Sequence, residues 1–303
     1  MLWTVLLTGL AWLVVPKLLK KLYDLAFAPP VWNGQGKRIV ITGASSGIGE
    51  ELAKRYAGMG ARLVLAARRE EELQRVSEEC SKLGAAQVDC IVSDISKQEE
   101  CRHLIETAAK KLDGVFDCII LNAGISMGEC FEDVKDLSIF RRLMDVNYYG
   151  CIDCTKFALP YLKRSKHAKI VVMSSIAGKG GVPTRSGYCA SKFALHGFYD
   201  SLRCELKSRY NNIDVCIICP GFVKTNINNT RLGDAPQAFD EKKAMSVETA
   251  GEIMVSAIEK GKREEVMTSY GKAGVYVRFF LPELYDWISL RAMQHVTGHN
   301  KAA

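Results

Sequence analysis

From residue 37 onward the chain alternates between short apolar runs and longer amphipathic stretches, and this alternation limits its fold more than any other feature. "KRIVIT", "RLVLAA", "AQVDCIVSD", "DCIILNAG", "KIVVMSS" and "IDVCIICPG" read as buried strands, with "EEVMTS" as a seventh. Helical patterns separate the early strands, at Ile48 to Met59, Arg69 to Leu83 and Gln98 to Lys111. Longer helices precede the fifth and sixth. Strands this uniformly apolar are covered on both faces. Strands alternating with helices predict a parallel sheet, and right-handed crossovers place helices on both of its sides. The expected class is α/β, a doubly wound parallel sheet of about seven strands.

The first strand runs into "TGASSGIGEEL". Gly43, Gly47 and Gly49 stand between a strand and a helix, the context in which glycine spacing carries information. Gly43 permits a tight turn. Gly47 and Gly49 let backbone and helix N-terminus approach a pyrophosphate. Ser45, Ser46 and Ile48 share this loop and are expected at the same ligand, which makes the sheet Rossmann-type. The second strand ends at Ala67, followed by Arg68 and Arg69, where an NAD-binding chain is expected to carry an acid. A guanidinium at Arg68 suits a 2′-phosphate, so NADP(H) is the expected cofactor. Arg69 reads equally as a solvated charge in the first turn of the next helix. Asp94, closing the third strand, is expected at the adenine amino group. Asn122, Ala123 and Gly124 close the fourth, with their backbone at the adenosine ribose.

Tyr188 and Lys192, in "YCASK", lie one turn apart on one helix face. A phenol is mostly protonated at neutral pH and a poor base. Positive charge nearby favours phenolate, and Lys192 and an oxidised nicotinamide would both supply it. Tyr188 can then give a proton to a carbonyl oxygen, or take it back. Ser175 closes the fifth strand at the sheet's carboxyl edge, where its hydroxyl could hold the substrate oxygen. Asn147, in "MDVNYYG", falls in the preceding helix, where its amide could bind a water behind Lys192. Pro220 and Gly221 turn the chain beneath the nicotinamide, followed by Val223 and Thr225, the latter within reach of a phosphate or the carboxamide.

The ordered set "TGASSGIG", "NAG", Asn147, Ser175, "YCASK" and "PG" resembles the short-chain dehydrogenase/reductase family over roughly residues 36 to 268. The resemblance implies Asn147, Ser175, Tyr188 and Lys192 as the catalytic group. The N-terminal run, "SSIAGK" and "YCASKFALHGF" resemble its membrane-bound microsomal branch, which includes 11β-type hydroxysteroid dehydrogenases and the member 7 group. Two departures stand out. Ser46 replaces a basic residue found in some NADP-preferring relatives, and "LNAG" replaces a doubled asparagine.

The expected organisation is an anchor at 1–28, a linker at 29–36, the catalytic domain at 37–270 and a C-terminal segment at 271–303. Residues 1 to 15 are apolar and span about 22 Å as a helix, short of the roughly 30 Å hydrocarbon core. No basic residue precedes them, and Lys17, Lys20 and Lys21 follow. That favours a retained membrane anchor over a cleaved signal peptide and puts the domain on the cytosolic face of the endoplasmic reticulum or a lipid droplet. The 11 cysteines show no framework spacing and read as free thiols. Neither Cys151 with Cys154 nor His295 with His299 reads as a metal site. A net charge of +7, without a basic stripe, does not suggest nucleic acid.

The expected partners are a lipophilic substrate, the membrane and a second copy of the chain. Residues 275–293, rich in Phe, Leu and Trp, read either as a packed or dimer-contact helix or as an interfacial segment. Residues 226–246 read as a polar flap carrying a sequon at Asn228. Three functions stay open: NADP(H)-dependent turnover of a steroid, retinoid or long-chain lipid; a 3-ketoacyl or acyl-dihydroxyacetone-phosphate reductase; and a non-catalytic nucleotide-binding scaffold at the membrane.

Overall fold

A computed structural model describes residues 32–225, 230–234 and 244–297, with isolated positions 15, 18, 19, 22 and 227. Apart from those four N-terminal positions, the expected anchor lies outside these residues, as do the start of the linker and Asn228. Among the described residues no helix is long and apolar enough to cross a membrane.

Seven parallel strands form one sheet in the order β3-β2-β1-β4-β5-β6-β7. They are β1 (Arg38–Thr42), β2 (Arg62–Ala67), β3 (Gln87–Val92), β4 (Cys118–Leu121), β5 (Ala168–Met173), β6 (Ile213–Cys219) and β7 (Glu264–Val266). The helices are α1 (Gly47–Gly58), α2 (Glu70–Lys82), α3 (Gln98–Lys111), α4 (Ser138–Met144), α5 (Gly150–Leu162), α6 (Ser186–Arg209), α7 (Val247–Glu259), α8 (Ser269–Phe280) and α9 (Pro282–Thr297). The doubly wound sheet is as expected, with ends trimmed: the third strand stops before Ser93 and the fourth before Asn122, freeing both for the crevice.

The two-residue period of β1 shows how the core divides. Val40 faces a cluster with Leu104 and Ile105 of α3, Cys154 of α5 and Tyr199 of α6. Ile39 and Ile41 face the opposite cluster, with Leu52 and Tyr56 of α1 and Met254 and Ile258 of α7. Strand order reverses at the β1–β4 boundary, and ligands bind such sheets outside the carboxyl ends at that point. A third apolar cluster surrounds Tyr188, with Ile125, Met127, Leu143, Val146, Ala177 and Cys189.

The C-terminal segment is a pair of helices broken at Leu281, with Pro282 in the first turn of α9, where its missing N–H costs nothing. Arg278 donates to Lys179 O at 3.0 Å and Tyr285 to Gly181 O at 3.0 Å, which fixes the pair beside the loop after β5. Its other side stays uncovered: Phe279 is 78% exposed and Trp287 50%.

Candidate active site

The glycine loop is shaped by what it cannot accommodate. Gly43 has φ +66°, and a Cβ there would stand 2.7 Å from Ala123 Cα. A Cβ on Gly49 would stand 2.3 Å from Gly43 O. Only glycine fits, so bare backbone faces the crevice. The Asn122 amide donates to Thr42 O (3.1 Å) and Gly43 O (3.0 Å), tying β4 to the loop. Thr42 completes the tie by accepting from the backbone N–H groups of Asn122 (3.1 Å) and Ala123 (3.2 Å). Asn122 therefore contributes its side chain to the frame, a role its place in "NAG" did not signal.

This loop borders a cleft of about 360 Å³. Gly43, Ser45, Ser46, Gly47, Ile48, Arg68, Asp94, Asn122, Ala123, Gly124 and Thr225 all line it. Arg69 lines it too. Its guanidinium donates to Ser45 Oγ at 3.0 Å and Ser46 Oγ at 2.7 Å, crossing from the head of α2 to the glycine loop. It is thus no freely solvated first-turn charge. Its positive charge sits beside Ser46. Burial alone would raise the Asp94 carboxyl, but hydrogen bonds from Ser96 and the Arg68 charge outweigh it and hold the group below the usual range. Gly49, Asn147, Ser175, Tyr188, Lys192, Pro220, Gly221 and Val223 lie outside the cleft lining; the Pro220 carbonyl accepts from Ile176 N at 2.9 Å, linking the two carboxyl-edge turns.

At the other end, α6 carries Tyr188 and Lys192, both buried. The Lys192 ammonium lies 5.8 Å from the centre of the Tyr188 ring and donates to Met173 O at 2.8 Å. That bond locks α6 to the end of β5. Ser175 follows β5 as the cap of a short 3₁₀ turn, its Oγ accepting from Ala177 N at 3.1 Å, and among the described residues no acceptor takes its hydroxyl hydrogen.

Asn147 lies in a π-turn, Asp145–Tyr149, between α4 and α5, and not within a regular helix. Its Oδ1 accepts from Ile125 N at 2.8 Å; its Nδ2 donates to Ile125 O at 3.0 Å and Ser191 Oγ at 2.9 Å. Both amide hydrogens are thus taken by protein, so a water behind Lys192 could use only the second lone pair of Oδ1.

A buried polar prop lies behind the turn at Ser174 and Ser175, formed by residues the sequence did not single out. His196 Nε2 is 2.9 Å from Ser174 Oγ, which donates to Lys192 O at 3.4 Å. The other ring nitrogen faces Glu264 at 3.4 Å, and Lys179 pairs with Glu264 at 3.0 Å. Burial pushes the Glu264 carboxyl up, but His196 and Lys179 more than reverse this, leaving it at about 2. His196, Cys219 and Glu264 bring potential ligand atoms within 4.8 Å of one another. Cys219 and Glu264 approach opposite ring nitrogens, Lys179 already neutralises Glu264, and burial drives the Cys219 thiol well above its ordinary range. The trio reads as a prop, not a metal centre.

The family model for short chain dehydrogenases matches residues 37–235. The chain belongs to the short-chain dehydrogenase/reductase family. It is similar to an 11-beta-hydroxysteroid dehydrogenase A of Sesamum indicum, 35% identical over 84% of this chain and 74% of that protein. It is also similar to a dehydrogenase/reductase SDR family protein 7-like of Dictyostelium discoideum, 34% identical over 91% of this chain and 85% of that protein. These relatives bear out the branch expected from "SSIAGK" and "YCASKFALHGF". Among solved structures, a short-chain dehydrogenase/reductase from Burkholderia phymatum in complex with NAD shares the fold, with TM-score 0.76, 24% identity and coverage of 84% of this chain and 96% of that one. An alcohol dehydrogenase from Thermococcus sibiricus complexed with 5-hydroxy-NADP matches with TM-score 0.66 and 26% identity over 76% of this chain and 94% of that one. As a family member, this chain is an oxidoreductase.

Proposed function

We propose that the chain is an NADP(H)-dependent oxidoreductase that interconverts a hydroxyl and a carbonyl on a lipophilic substrate, with Tyr188 as acid/base. One observation carries the reading most: Tyr188 and Lys192 are held on one face of α6, with Lys192 fixed by Met173 O next to Ser175.

The residues present fit a dinucleotide. Glycines that exclude a side chain give the pyrophosphate bare backbone, and the cleft supplies Asp94 toward the adenine. Arg68 and Arg69, with Ser45 and Ser46, offer a cationic hydrogen-bonding cluster suited to a 2′-phosphate. When bound, the nicotinamide supplies hydride to the substrate carbon or accepts it. Tyr188 gives its phenolic proton to the substrate oxygen in reduction and takes it back in oxidation. Ser175 holds that oxygen through its hydroxyl hydrogen. Lys192, its ammonium 5.8 Å from the centre of the Tyr188 ring and anchored on Met173 O, fixes the position of α6 beside the reacting oxygen. The apolar surroundings of Tyr188 exclude water from the exchange.

The uncovered aromatic face of α8 and α9 supports contact with a membrane, to which residues 1–28 would tether the domain on the cytosolic side. The reading is tested by incubating purified protein with lipid extracts and NADPH, then analysing products by mass spectrometry. A consumed carbonyl lipid and its alcohol product are expected. The same product with Tyr188→Phe would overturn the reading. Protease protection in intact microsomes, or a glycan on Asn228, would overturn the cytosolic placement.

A further inference from the structure

Two arginines lie near Tyr188 without a carboxylate partner among the described residues. Arg185 stands at the head of α6, three residues before Tyr188, its guanidinium 5.5 Å from the centre of the Phe222 ring. Arg231 packs on Gly128 so closely that a Cβ there would meet its Cδ at 2.8 Å. Its neighbour Leu232 bridges Met127 of the loop after β4. Among the described residues neither arginine forms an ion pair. Glu129, the carboxylate next along that loop, faces Gly233 instead.

The surroundings make this unusual. Burial holds the Arg185 guanidinium below its ordinary value, Tyr188 acts to raise it, and the Arg231 charge lowers it further. A half-buried cation that also feels a second cation is costly unless an anion arrives. The backbone is strained at the same place. Thr184, a β-branched residue, is left-handed at φ +64°, and its carbonyl accepts from Glu129 N at 2.8 Å. Such outliers persist where the surrounding structure imposes them, often at ligand clamps. Around the arginines lie Val182, Leu232 and the apolar cluster at Tyr188.

We propose that Arg185 and Arg231 together bind an anionic oxo-acid group of the substrate, while the apolar cluster takes its hydrocarbon portion. The substrate is then an amphiphilic acid bearing the reacting hydroxyl or carbonyl, not a neutral sterol. This rests on Tyr188 being the acid/base, and it narrows the lipophilic class to carboxylated or phosphorylated members. Arginine suits the task, because its planar fork matches carboxylate and phosphate oxygens in pairs.

The test uses matched probes with the full chain and NADPH: a long-chain 3-oxo acid against its methyl ester, and a long-chain 2-oxoalkyl phosphate against its dephosphorylated alcohol. The quantity read is the ratio of kcat/KM for anion over neutral partner. The unmodified protein should favour at least one anion about 10-fold or more. Arg185→Gln and Arg231→Gln should each reduce that ratio about 10-fold or more, and Arg185→Lys should restore part of it. The pair showing the larger ratio identifies carboxylate or phosphate as the natural group. Equal rates on both partners, or variants that slow both equally, would overturn the proposal. If no probe is turned over, the reading of Tyr188 fails for these substrates, and binding decides the present point. A thermal shift larger for the anion than for its neutral partner, and lost in Arg231→Gln, supports it; equal shifts overturn it.

Discussion

Arg69 reaches from the N-cap of α2 to Ser46 in the glycine loop, a contact of 2.7 Å between residues 23 apart in sequence. It joins the two segments that meet at the adenosine end of the cleft, placing a second guanidinium there beside Arg68. Arg68→Ala should raise the NADPH Michaelis constant about 10- to 150-fold, with little change for NADH. Arg69→Ala should raise it about 10-fold and compound the first effect. Steady-state kinetics with both cofactors check this. An Arg69→Ala enzyme indistinguishable from the parent would reduce that arginine to a loop tether.

Tyr188→Phe should lower kcat by about 10²- to 10⁴-fold while NADPH binding stays nearly intact, since in the proposed mechanism the lost hydroxyl acts on substrate oxygen. Lys192→Met should weaken both, because its ammonium also locks α6 to Met173 O. Stopped-flow turnover, with fluorescence titration of NADPH, separates the two effects.

Glu264 offers a test of pH and stability. Its carboxyl is depressed from an ordinary 4.5 to about 2 in the fold. The stability this shift contributes is full above 4.5 and is lost as pH falls through about 2. Glu264→Gln should therefore lower Tm at neutral pH and flatten its decline over that acid window. Parallel melting curves for the two proteins would show that Lys179 and His196 contribute nothing through this carboxylate.

Gly49→Ala should cost about 1–3 kcal/mol and impair NADPH binding, because its Cβ would collide with Gly43 O and the Asn122 amide. Gly58→Ala is the control: its Cβ meets nothing within 4 Å, and a helix end gains from the change. Urea unfolding of both variants measures the contrast.

The sheet was legible because its central strands are covered on both faces, so β2, β4, β5 and β6 are apolar at nearly every position. The cofactor end was legible because glycine is required wherever a Cβ would strike backbone, as at Gly43 and Gly49. What the sequence hid were contacts between distant segments. No local pattern announces that Arg69 bends back to Ser46, or that His196 bridges Ser174 and Glu264, residues 90 apart. The π-turn at Asn147 was hidden too, since one widened turn leaves the hydrophobic period almost unchanged. The edge strand β7, three residues long, was readable only through its place after α7.

The Asn147 amide cannot be turned round. Exchanging its oxygen and nitrogen would set the amide nitrogen against the Ile125 N–H and leave the oxygen facing the Ile125 carbonyl. Aspartate, of the same shape, would keep the acceptor and lose both donors, and glutamine would overshoot by a methylene. One side chain thus acts as a keystone between the loop after β4 and the helix bearing Tyr188 and Lys192. The distance between that loop and the Tyr188–Lys192 face of α6 is therefore set by a single side chain whose every polar atom is already committed to protein.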